Sequence, residues 1–526
     1  MRAGCWIVLV RSCLWCLKIN TRVKILVANR GEIAVRILRA CREMGVPSVA
    51  VYSECDRTAP HVRRADVAVA IGASEAAESY LNIGRILDAA HETGATAIHP
   101  GYGFLAENAA FASACQAAGL VFIGPDAGVI EVMGGKTAAR QAAVDAGVPV
   151  VPGTAALADT LSDDELRARA DAVGYPLFIK AVAGGGGRGM RRVAGTDGVV
   201  AGVAAARSEA GAAFGEPAVY FERLLEGARH VEVQVLGDAY GTVVPFVERE
   251  CSIQRRHQKV IEESPSVAVT PEIRAELAES AMALSSAVNY TNAGTIEFLL
   301  DAGGRIYFLE MNTRLQVEHP VTEMVTGVDL VQWQIRIARG ERLTMDRQRA
   351  LVPRGHALEC RVYAEDPDTG FMPAPGRITA LRGPAGPGIR DDSGVEAGFE
   401  VPVFYDSMIS KVVAWAPDRA GAIARMRRAL TEYEVGGITT VIPALLWVLG
   451  HEAFVSGRFD TTFLDRVLAE RQGQSFSELP AGDADLAVMA AALSHFFSRA
   501  DTHVGGVDGT ELTPWRRAAR LDGLRR

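Results

Sequence analysis

Apolar, strand-like runs alternate with stretches of helical spacing between residues 24 and 123, and this alternation restricts the possible folds more than any other feature. The first repeat is a buried-strand pattern at 24–28, a turn at 29–32, and apolar residues at helical spacing up to Gly45. Further segments follow in the same rhythm: strands at 48–52, 65–71, 97–99 and 121–123, and helices at 79–93 and 106–118. The pattern predicts a doubly wound α/β domain with a parallel sheet. Because the Gly-x-Gly-x-x-Gly pattern is missing, a dinucleotide is not indicated.

A β-hairpin with an acidic face is predicted between residues 294 and 318. Its second strand begins at Ile306, and every second residue is polar from position 310 onward. An extended chain would place these polar residues on one side: Glu310, Asn312, Arg314, Gln316 and Glu318. A two-residue turn at Gly303-Gly304 would set Glu297 opposite Glu310, although a bulge could shift that register by one residue.

The opposed carboxylates of Glu297 and Glu310 predict a cation site. Two carboxylates at ~4 Å repel by ~4 kcal/mol at an effective dielectric of about 20, and opposed like charges destabilise a sheet. Two acids and the amide of Asn312 suit Mg²⁺, whose other ligands are usually water and substrate phosphates. The alternative is a solvated face of an edge strand. The Asn, Arg and His-Pro on the same short segment favour the cation site.

Composition excludes several function classes. The chain has 526 residues, of which 49% are hydrophobic and 22% charged, as in ordinary globular proteins of two to four domains. The net charge of −8 gives no support for nucleic-acid binding. No apolar run reaches the ~20 residues that span a bilayer, so no membrane contact is expected. The 8 cysteines lack paired metal-site spacing, which favours a reduced, cytoplasmic setting.

A glycine-rich loop at 183–190 joins two predicted strands, at 175–181 and 190–193. Glycines let backbone N–H groups approach phosphates closely, and Lys180 and Arg188 add positive charge, so phosphate binding is preferred over a disordered surface loop. The Gly-Gly-Lys-Thr at 134–137 resembles the end of a P-loop, but Ile130 occupies the place of the required first glycine.

The remaining segments are less regular. Strands are expected at 219–222, 230–236 and 243–248, and they lead into a dense polar and basic segment at 251–259. A third region, about 355–462, contains strands and a helix at 418–432. The tail is rich in Ala, Gly and Asp, with one helix near 484–498. Residues 1–22 contain no acidic residue, and we expect that they result from a start codon assigned too far upstream, in preference to a transit peptide.

Together these segments resemble the biotin carboxylase component of biotin-dependent acyl-CoA carboxylases, such as acetyl- or propionyl-CoA carboxylase. The resemblance covers roughly residues 23–462. It is carried by five motifs: HPGYGFL at 99–105, GGGGRGM at 184–190, QRRHQK at 254–259, EMNTRLQVEHPVTEM at 310–324 and ECRVYAED at 359–366.

The resemblance implies an α/β architecture with an ATP-grasp fold. The expected parts are an extension at 1–22, a doubly wound N-terminal domain at 23–135, an ATP-grasp domain at 136–345, an α+β C-terminal domain at 355–462 and a linker-like tail at 463–526. A mobile lid subdomain carrying the glycine loop is expected at about 152–226.

The resemblance also implies residue roles. Nucleotide contacts are expected from Lys136, Lys180, Gly186, Gly187, Glu222, His230 and His257. Metal ligands are expected at Glu297, Glu310 and Asn312, for Mg²⁺ or Mn²⁺. The bicarbonate pocket is expected to comprise Lys259, Arg314, Gln316 and the backbone of Val317. Glu318 corresponds to the base that deprotonates bicarbonate, and Arg361 to the arginine that stabilises the oxygen of deprotonated biotin.

The implied reaction is ATP-dependent carboxylation of biotin through carboxyphosphate, as the first half-reaction of an acyl-CoA carboxylase in fatty acid metabolism. Expected partners are a biotin carboxyl carrier, carboxyltransferase subunits and a second copy of the chain or a larger complex. Biotinylation in this family uses a lysine after methionine, and no methionine is followed by lysine here, so biotin is expected on a different polypeptide or on a part that is absent from this sequence. The alternatives are a carbamoyl-phosphate synthetase-like ligase and a non-catalytic nucleotide-binding scaffold; a mitochondrial matrix location is second to the cytoplasm.

Overall fold

The computed structural model describes residues 23–182, 190–471 and 473–476, with helical positions 485, 486, 488–493 and 496. The predicted glycine contacts, Gly186 and Gly187, and the extension 1–22 lie outside the described residues. Two units are distinguished, one ending at Gln474 and one beginning at Ser475. Within the described ranges, no helix combines the length and apolar character needed to cross a membrane.

The N-terminal domain is a parallel five-stranded sheet, as the alternation predicts. Its elements follow in chain order: β1 Ile25–Val27, α1 Gly31–Glu43, β2 Ser48–Ser53, α2 Pro60–Arg64, β3 Val67–Gly72, α3 Ile83–Thr93, β4 Ala97–His99, α4 Ala109–Ala117 and β5 Val121–Phe122. The strand order β3-β2-β1-β4-β5 reverses between β1 and β4, which is where doubly wound sheets form crevices. The third helix begins at Ile83, later than the predicted residue 79, because the side chain of Asn82 caps it.

Two consecutive helices connect this domain to the next part of the chain. They are α5 Ala127–Gly134 and α6 Lys136–Asp145. Lys136 therefore begins a helix that follows another helix, whereas a P-loop leads from a strand into a helix. The structure confirms that the Gly-Gly-Lys-Thr at 134–137 is not a P-loop.

A small antiparallel sheet contains the strands on either side of the glycine loop. Its elements are α7 Asp163–Val173, β6 Leu177–Ala181, β7 Met190–Val193, α8 Val199–Phe214 and β8 Val219–Arg223. The strand order is β7-β6-β8, and Lys180 pairs with Met190 across the start of the loop. The predicted strand–loop–strand arrangement is confirmed at both ends of the loop.

A large antiparallel sheet continues from the predicted ATP-grasp region into the predicted C-terminal region. The elements of the first part are β9 Arg229–Gly237, β10 Val243–Pro245, β11 Arg249–Arg255, β12 Gln258–Ser264, α9 Pro271–Ala287, β13 Asn292–Leu300, β14 Ile306–Asn312, α10 His319–Thr326, α11 Leu330–Ala338 and α12 Arg347–Ala350. The second part contains β15 His356–Tyr363, β16 Glu365–Asp366, β17 Met372–Pro373, β18 Gly376–Arg377, β19 Ala380–Arg382, β20 Ile389–Ser393, β21 Glu400–Val401, β22 Met408–Ala416, α13 Arg419–Glu432, β23 Glu434–Gly436, α14 Ile442–Gly450, α15 Glu452–Val455 and α16 Phe463–Glu470. The order is β14-β13-β9-β11-β12-β15-β22-β20, with β10 also on β9, and β12 pairs with β15 to join the two parts.

The hairpin β13–β14 has the predicted pairing but not the predicted turn. Glu297 lies opposite Glu310, as expected. The loop, however, closes between Asp301 and Arg305, where Asp301 N–H donates to the Arg305 carbonyl at 3.0 Å, and it contains three residues. The one-residue shift that this longer turn introduces is cancelled by an irregularity between Glu297 and Phe298. The predicted two-residue turn was wrong, and two opposite shifts restore the register.

Candidate active site

A cleft of about 1120 Å³ is bordered by the small sheet, the large sheet and the first loops of the N-terminal domain. Apart from Glu318, every predicted site residue that the structure describes lines this cleft: Lys136, Lys180, Glu222, His230, His257, Lys259, Glu297, Glu310, Asn312, Arg314, Gln316, Val317 and Arg361. Residues that are as much as 225 positions apart in the sequence, such as Lys136 and Arg361, therefore face one cavity.

On the small-sheet side of the cleft, two lysines lie close to each other. The ammonium of Lys180 donates to Glu222, which lies on the neighbouring strand β8. Burial lowers the pKa of Lys136, and the charge of Lys180 lowers it further. Two cations near one another at the cleft surface form a site for a polyanion such as a chain of phosphates.

His257 lies at the tip of the hairpin β11–β12. Arg255 pairs with Gln258, so Arg256 and His257 form a two-residue turn with φ angles of 49° and 66°. Positive φ at both positions is typical of the turn that suits the twist of a hairpin. The polar and basic segment at 251–259 is therefore part of a hairpin, which places His257 at the cleft and Lys259 at the start of the second strand.

Lys259 joins three buried carboxylates at the floor of the cleft. Its Nζ lies 2.5 Å from Glu232 Oε2, 2.9 Å from Glu297 Oε1 and 2.6 Å from Glu318 Oε1. Burial alone would lower the pKa of Lys259, but the charges of these three acids raise it well above its usual range. Glu232 was not predicted from the sequence, although the alternation of His230, Glu232 and Gln234 along an otherwise apolar strand was a signal.

Glu297 is surrounded by donors. The Nδ2 of Asn312 and the Nε2 of Gln316 donate to its Oε1 at 2.8 and 2.9 Å, and His230 Nε2 lies 3.0 Å from its Oε2. Burial would raise the pKa of Glu297, but Lys259 and His230 hold it well below its usual range. Burial likewise opposes the charged form of His230, yet Glu297 raises the pKa of His230 to about 9. Both groups are therefore charged at neutral pH.

Glu310 reaches the cleft on the strand next to Glu297, and its surroundings fit a divalent cation. Burial raises the pKa of Glu310, and the charge of Glu297 raises it further. The carboxylates of Glu297 and Glu310 thus oppose each other's ionisation across the two strands, and a hard cation with oxygen ligands would reduce that repulsion. Asn312 Oδ1 lies at the same edge, where it accepts a hydrogen bond from Arg314 Nη2 at 2.9 Å. This oxygen-rich set suits Mg²⁺ or Mn²⁺.

Glu318 lies behind the cleft surface and is fully buried. Lys259 contacts its Oε1, and Arg361 Nη2 donates to its Oε2 at 2.9 Å. Burial would raise the pKa of Glu318, but Lys259 and then Arg361 hold it below its usual range. The prediction of a strand extending to residue 318 was wrong, because β14 ends at Asn312 and Glu318 directly precedes α10. The chain turns between these points, yet the predicted polar residues still converge.

Arg314 and Val317 are held by residues that the sequence analysis missed. Arg314 Nε donates to Glu107 Oε2 at 2.6 Å, and Glu107 Oε1 also accepts from the backbone N–H of Thr313 at 2.9 Å. No local pattern distinguishes Glu107 from an ordinary residue before a helix. The carbonyl of Val317 accepts from the fully buried Lys411 at 2.6 Å. A lysine within the apolar strand β22 was a signal for this contact.

Three family models match the chain in succession. They are "Biotin carboxylase, N-terminal domain" at residues 21–130, "Carbamoyl-phosphate synthase L chain, ATP binding domain" at 135–346 and "Biotin carboxylase C-terminal domain" at 359–466. The chain belongs to the biotin carboxylase family. As a member it is an ATP-dependent ligase that carboxylates biotin. The two flanking matches are specific to biotin carboxylases, which sets aside the interpretation as a carbamoyl-phosphate synthetase-like ligase.

Biotin carboxylases of different assemblies are similarly related to the chain. It is 52% identical over 444 residues to "Biotin carboxylase" from Nostoc sp., covering 84% of this chain and 99% of that protein. It is also 52% identical over 443 residues to one of the pyruvate carboxylase subunits from Methanothermobacter thermautotrophicus, covering 84% of this chain and 89% of that protein.

Two solved structures share the fold throughout their length. A biotin carboxylase–βγ-ATP complex from Campylobacter jejuni has a TM-score of 0.81 at 44% identity and covers 86% of this chain and 100% of that chain. The biotin carboxylase domain dimer of the Hydrogenobacter thermophilus 2-oxoglutarate carboxylase, in complex with MgADP, ADP and bicarbonate, has a TM-score of 0.80 at 45% identity and covers 86% and 98%. The predicted ATP-grasp architecture is confirmed.

Proposed function

We propose that this chain carries out the first half-reaction of an acyl-CoA carboxylase, in which bicarbonate, activated by ATP as carboxyphosphate, carboxylates biotin on a separate carrier. The observation that carries the proposal is the buried Glu318 between Lys259 and Arg361, two cations that both line the cleft. The carboxylate of Glu318 is thereby close to the part of the cleft surface where an anion would bind, although Glu318 itself is excluded from solvent.

The nucleotide phosphates bind on the small-sheet side. Lys136 and Lys180 supply positive charge, and Glu222, His230 and His257 line the same cavity. The family resemblance adds Gly186 and Gly187 as backbone donors. Glu297, Glu310 and Asn312 would hold Mg²⁺ or Mn²⁺. When bound, that cation supplies charge neutralisation for the phosphates.

Bicarbonate binds beside Glu318 in a pocket formed by Lys259, Arg314, Gln316 and the backbone of Val317. The carboxylate of Glu318 accepts the bicarbonate proton. The freed oxygen then attacks the γ-phosphorus of ATP, the bond to the β-phosphate oxygen breaks, and ADP leaves with the electron pair. General-base assistance of this kind contributes roughly 10²–10⁴-fold to a rate.

Carboxyphosphate next breaks into CO₂ and phosphate. The phosphate takes the N1′ proton of biotin, the negative charge moves to the ureido oxygen, and N1′ bonds to the carbon of CO₂. Arg361 lines the cleft and stabilises that developing oxyanion, because its guanidinium stands ready where the charge appears.

The final acceptor and the assembly are part of the proposal. We infer an acyl-CoA acceptor selected by a separate carboxyltransferase, delivery of biotin by a carrier protein, and a homodimer, the form named for the Hydrogenobacter thermophilus domain. A cytoplasmic location is supported by the described cysteines, which form no disulfide with one another. The domain limits 23–135, 136–345 and 355–462, with a lid at about 152–226, belong to the same proposal.

Two assays test the proposal. Bicarbonate-dependent ATP hydrolysis should increase on addition of free biotin, and a chain that binds ATP without this response would be a scaffold. Reconstitution with co-encoded carrier and carboxyltransferase should then carboxylate an acyl-CoA in a panel that also contains pyruvate and 2-oxoglutarate. Turnover of either oxoacid, with no acyl-CoA product, would overturn the assignment of the acceptor.

A further inference from the structure

Arg361 is shared between two buried carboxylates, and only one of them has been given a part in the reaction. Its Nη2 donates to Glu318 Oε2 at 2.9 Å, while its Nε donates to Glu262 Oε1 at 2.6 Å. The same Oε1 of Glu262 also lies 2.5 Å from Nη2 of Arg361. Glu262 therefore contacts Arg361 through two nitrogens, more closely than Glu318 does.

Glu262 lies on β12 directly opposite Glu359 on β15, so two fully buried acids share one face of the sheet. The Oε2 of Glu262 and both carboxyl oxygens of Glu359 have no hydrogen-bond partner among the described residues. Buried carboxyl oxygens without a hydrogen-bond partner are costly, and two opposed acids also repel each other when both are ionised. Arg361 follows Glu359 by two residues on β15 and lies opposite Lys411 on β22. These two cations supply the compensating positive charge.

We propose that Glu262 is a positioning residue for biotin carboxylation: it holds Arg361 at the cleft and draws part of its positive charge away from Glu318. The inference rests on the proposed function, because it concerns how well Glu318 accepts a proton. A guanidinium committed wholly to Glu318 would stabilise the carboxylate and make it a weaker base. Each unit by which the pKa of Glu318 falls reduces its proton affinity about tenfold.

The groups facing Glu262 make its protonation state sensitive to pH near neutrality. Burial raises the pKa of Glu262 to about 7; Arg361 on β15 opposes this rise, Glu318 before α10 adds to it, and Lys259 on β12 opposes it. Burial raises the pKa of Glu359 on β15 well above its usual range. Above pH 7 the ionised Glu262 shares Arg361 with Glu318, and below pH 7 the neutral Glu262 leaves Arg361 to Glu318.

The test compares Glu262→Gln with the matched control Glu263→Gln. Glu263 is the next residue of the same strand, is equally buried, and pairs with Arg419 and His356 on the opposite face. We expect kcat of the wild type to fall below pH 7. Glu262→Gln should lower kcat for biotin carboxylation by about tenfold at pH 8, with unchanged KM for ATP, and should not show the further fall below pH 7. Glu263→Gln should lower the melting temperature but keep the wild-type kcat and pH profile.

Two further measurements keep the inference separate from the proposed function. Infrared difference spectra should show a carboxyl group that titrates near pH 7 in the wild type and in Glu263→Gln but not in Glu262→Gln. Glu262→Asp, which retains the charge, should recover the pH dependence. A wild type without biotin-stimulated turnover would refute the proposed function, whereas an active wild type with the same kcat and pH profile as a folded Glu262→Gln would refute the positioning role.

Discussion

The two sides of the cleft hold their charges in different ways. On the small-sheet side, Lys180 pairs with one acid, Glu222, and both side chains line the open cavity. The neighbouring ion pair between Arg192 and Glu226 is mostly exposed. On the large-sheet side, Lys259 contacts three acids that are almost completely excluded from solvent.

The two sides of the cleft therefore differ in how readily their charged residues can change partners. The side chains of Lys180 and Glu222 are each 12% exposed and both reach the open cavity, so an anion bound there can replace Glu222 as the partner of Lys180. Buried pairs strongly destabilise a protein when one partner is lost, because the other charge remains without compensation. The large-sheet side therefore holds Glu318 and Arg361 in fixed positions, as the proton transfer and oxyanion stabilisation proposed for them would require.

Removal of Lys259 is expected to have the largest effect. Lys259→Met leaves Glu232, Glu297 and Glu318 close together, and we expect a loss of about 3–5 kcal/mol in the free energy of unfolding at pH 7. The pKa values of these acids lie below their usual range in the folded wild type, so the difference should shrink as pH falls through the acid range. Urea unfolding at several pH values measures both effects. If Lys259→Met lost no more free energy of unfolding than Lys180→Met, the difference between the two sides of the cleft would be contradicted.

Glu318→Gln should separate binding from chemistry. The amide keeps the size of the side chain but cannot accept a proton, so carboxylation should fall by at least ~100-fold while ATP and Mg²⁺ bind almost normally. Lys259 and Arg361 retain other acidic partners, so the variant should fold. The measurements are kcat, nucleotide affinity and melting temperature on one preparation; kcat near that of the wild type would rule out Glu318 as the base.

Glu310→Gln should act mainly on metal and nucleotide. It removes a charged oxygen ligand from the pair with Glu297, and we expect Mg²⁺-dependent nucleotide affinity to weaken by about tenfold, at the low end for a disturbed metal site. Titration of ADP with and without Mg²⁺ measures the effect, and affinity in the absence of metal is the control. Equal weakening with and without metal would argue against a cation between the two strands.

The smallest effect on stability is expected for Lys180→Met. Its removal leaves one acid, Glu222, without a cation, instead of the three left by Lys259→Met, so the free energy of unfolding should fall by less than the ~3–5 kcal/mol expected there. Nucleotide affinity should nevertheless weaken, and the pKa of Lys136 should rise because a neighbouring positive charge is gone. Calorimetry with ADP and pH-dependent labelling of Lys136 test these statements. An unchanged affinity would remove Lys180 from the nucleotide site.

Local patterns were sufficient wherever neighbouring residues decide the structure. The alternation between residues 24 and 123 predicted the parallel sheet, because strand and helix periods differ and each element buries one face. The strands at both ends of the glycine loop were likewise predicted from local composition. The hairpin register was predicted correctly, but only because a longer turn and an irregularity in the ladder compensate for each other.

Contacts between distant segments were decided by the tertiary structure alone. The sequence by itself determined the α/β class, the acidic pair Glu297 and Glu310, and the family motifs from which the site roles were inferred. It did not determine the pairing of β12 with β15, which brings Glu262 to Arg361, or the reach of Glu107 to Arg314 across 207 positions. The physical reason is that charge compensation acts through space: a buried acid requires a nearby cation, but nothing in its own segment specifies where along the chain that cation lies.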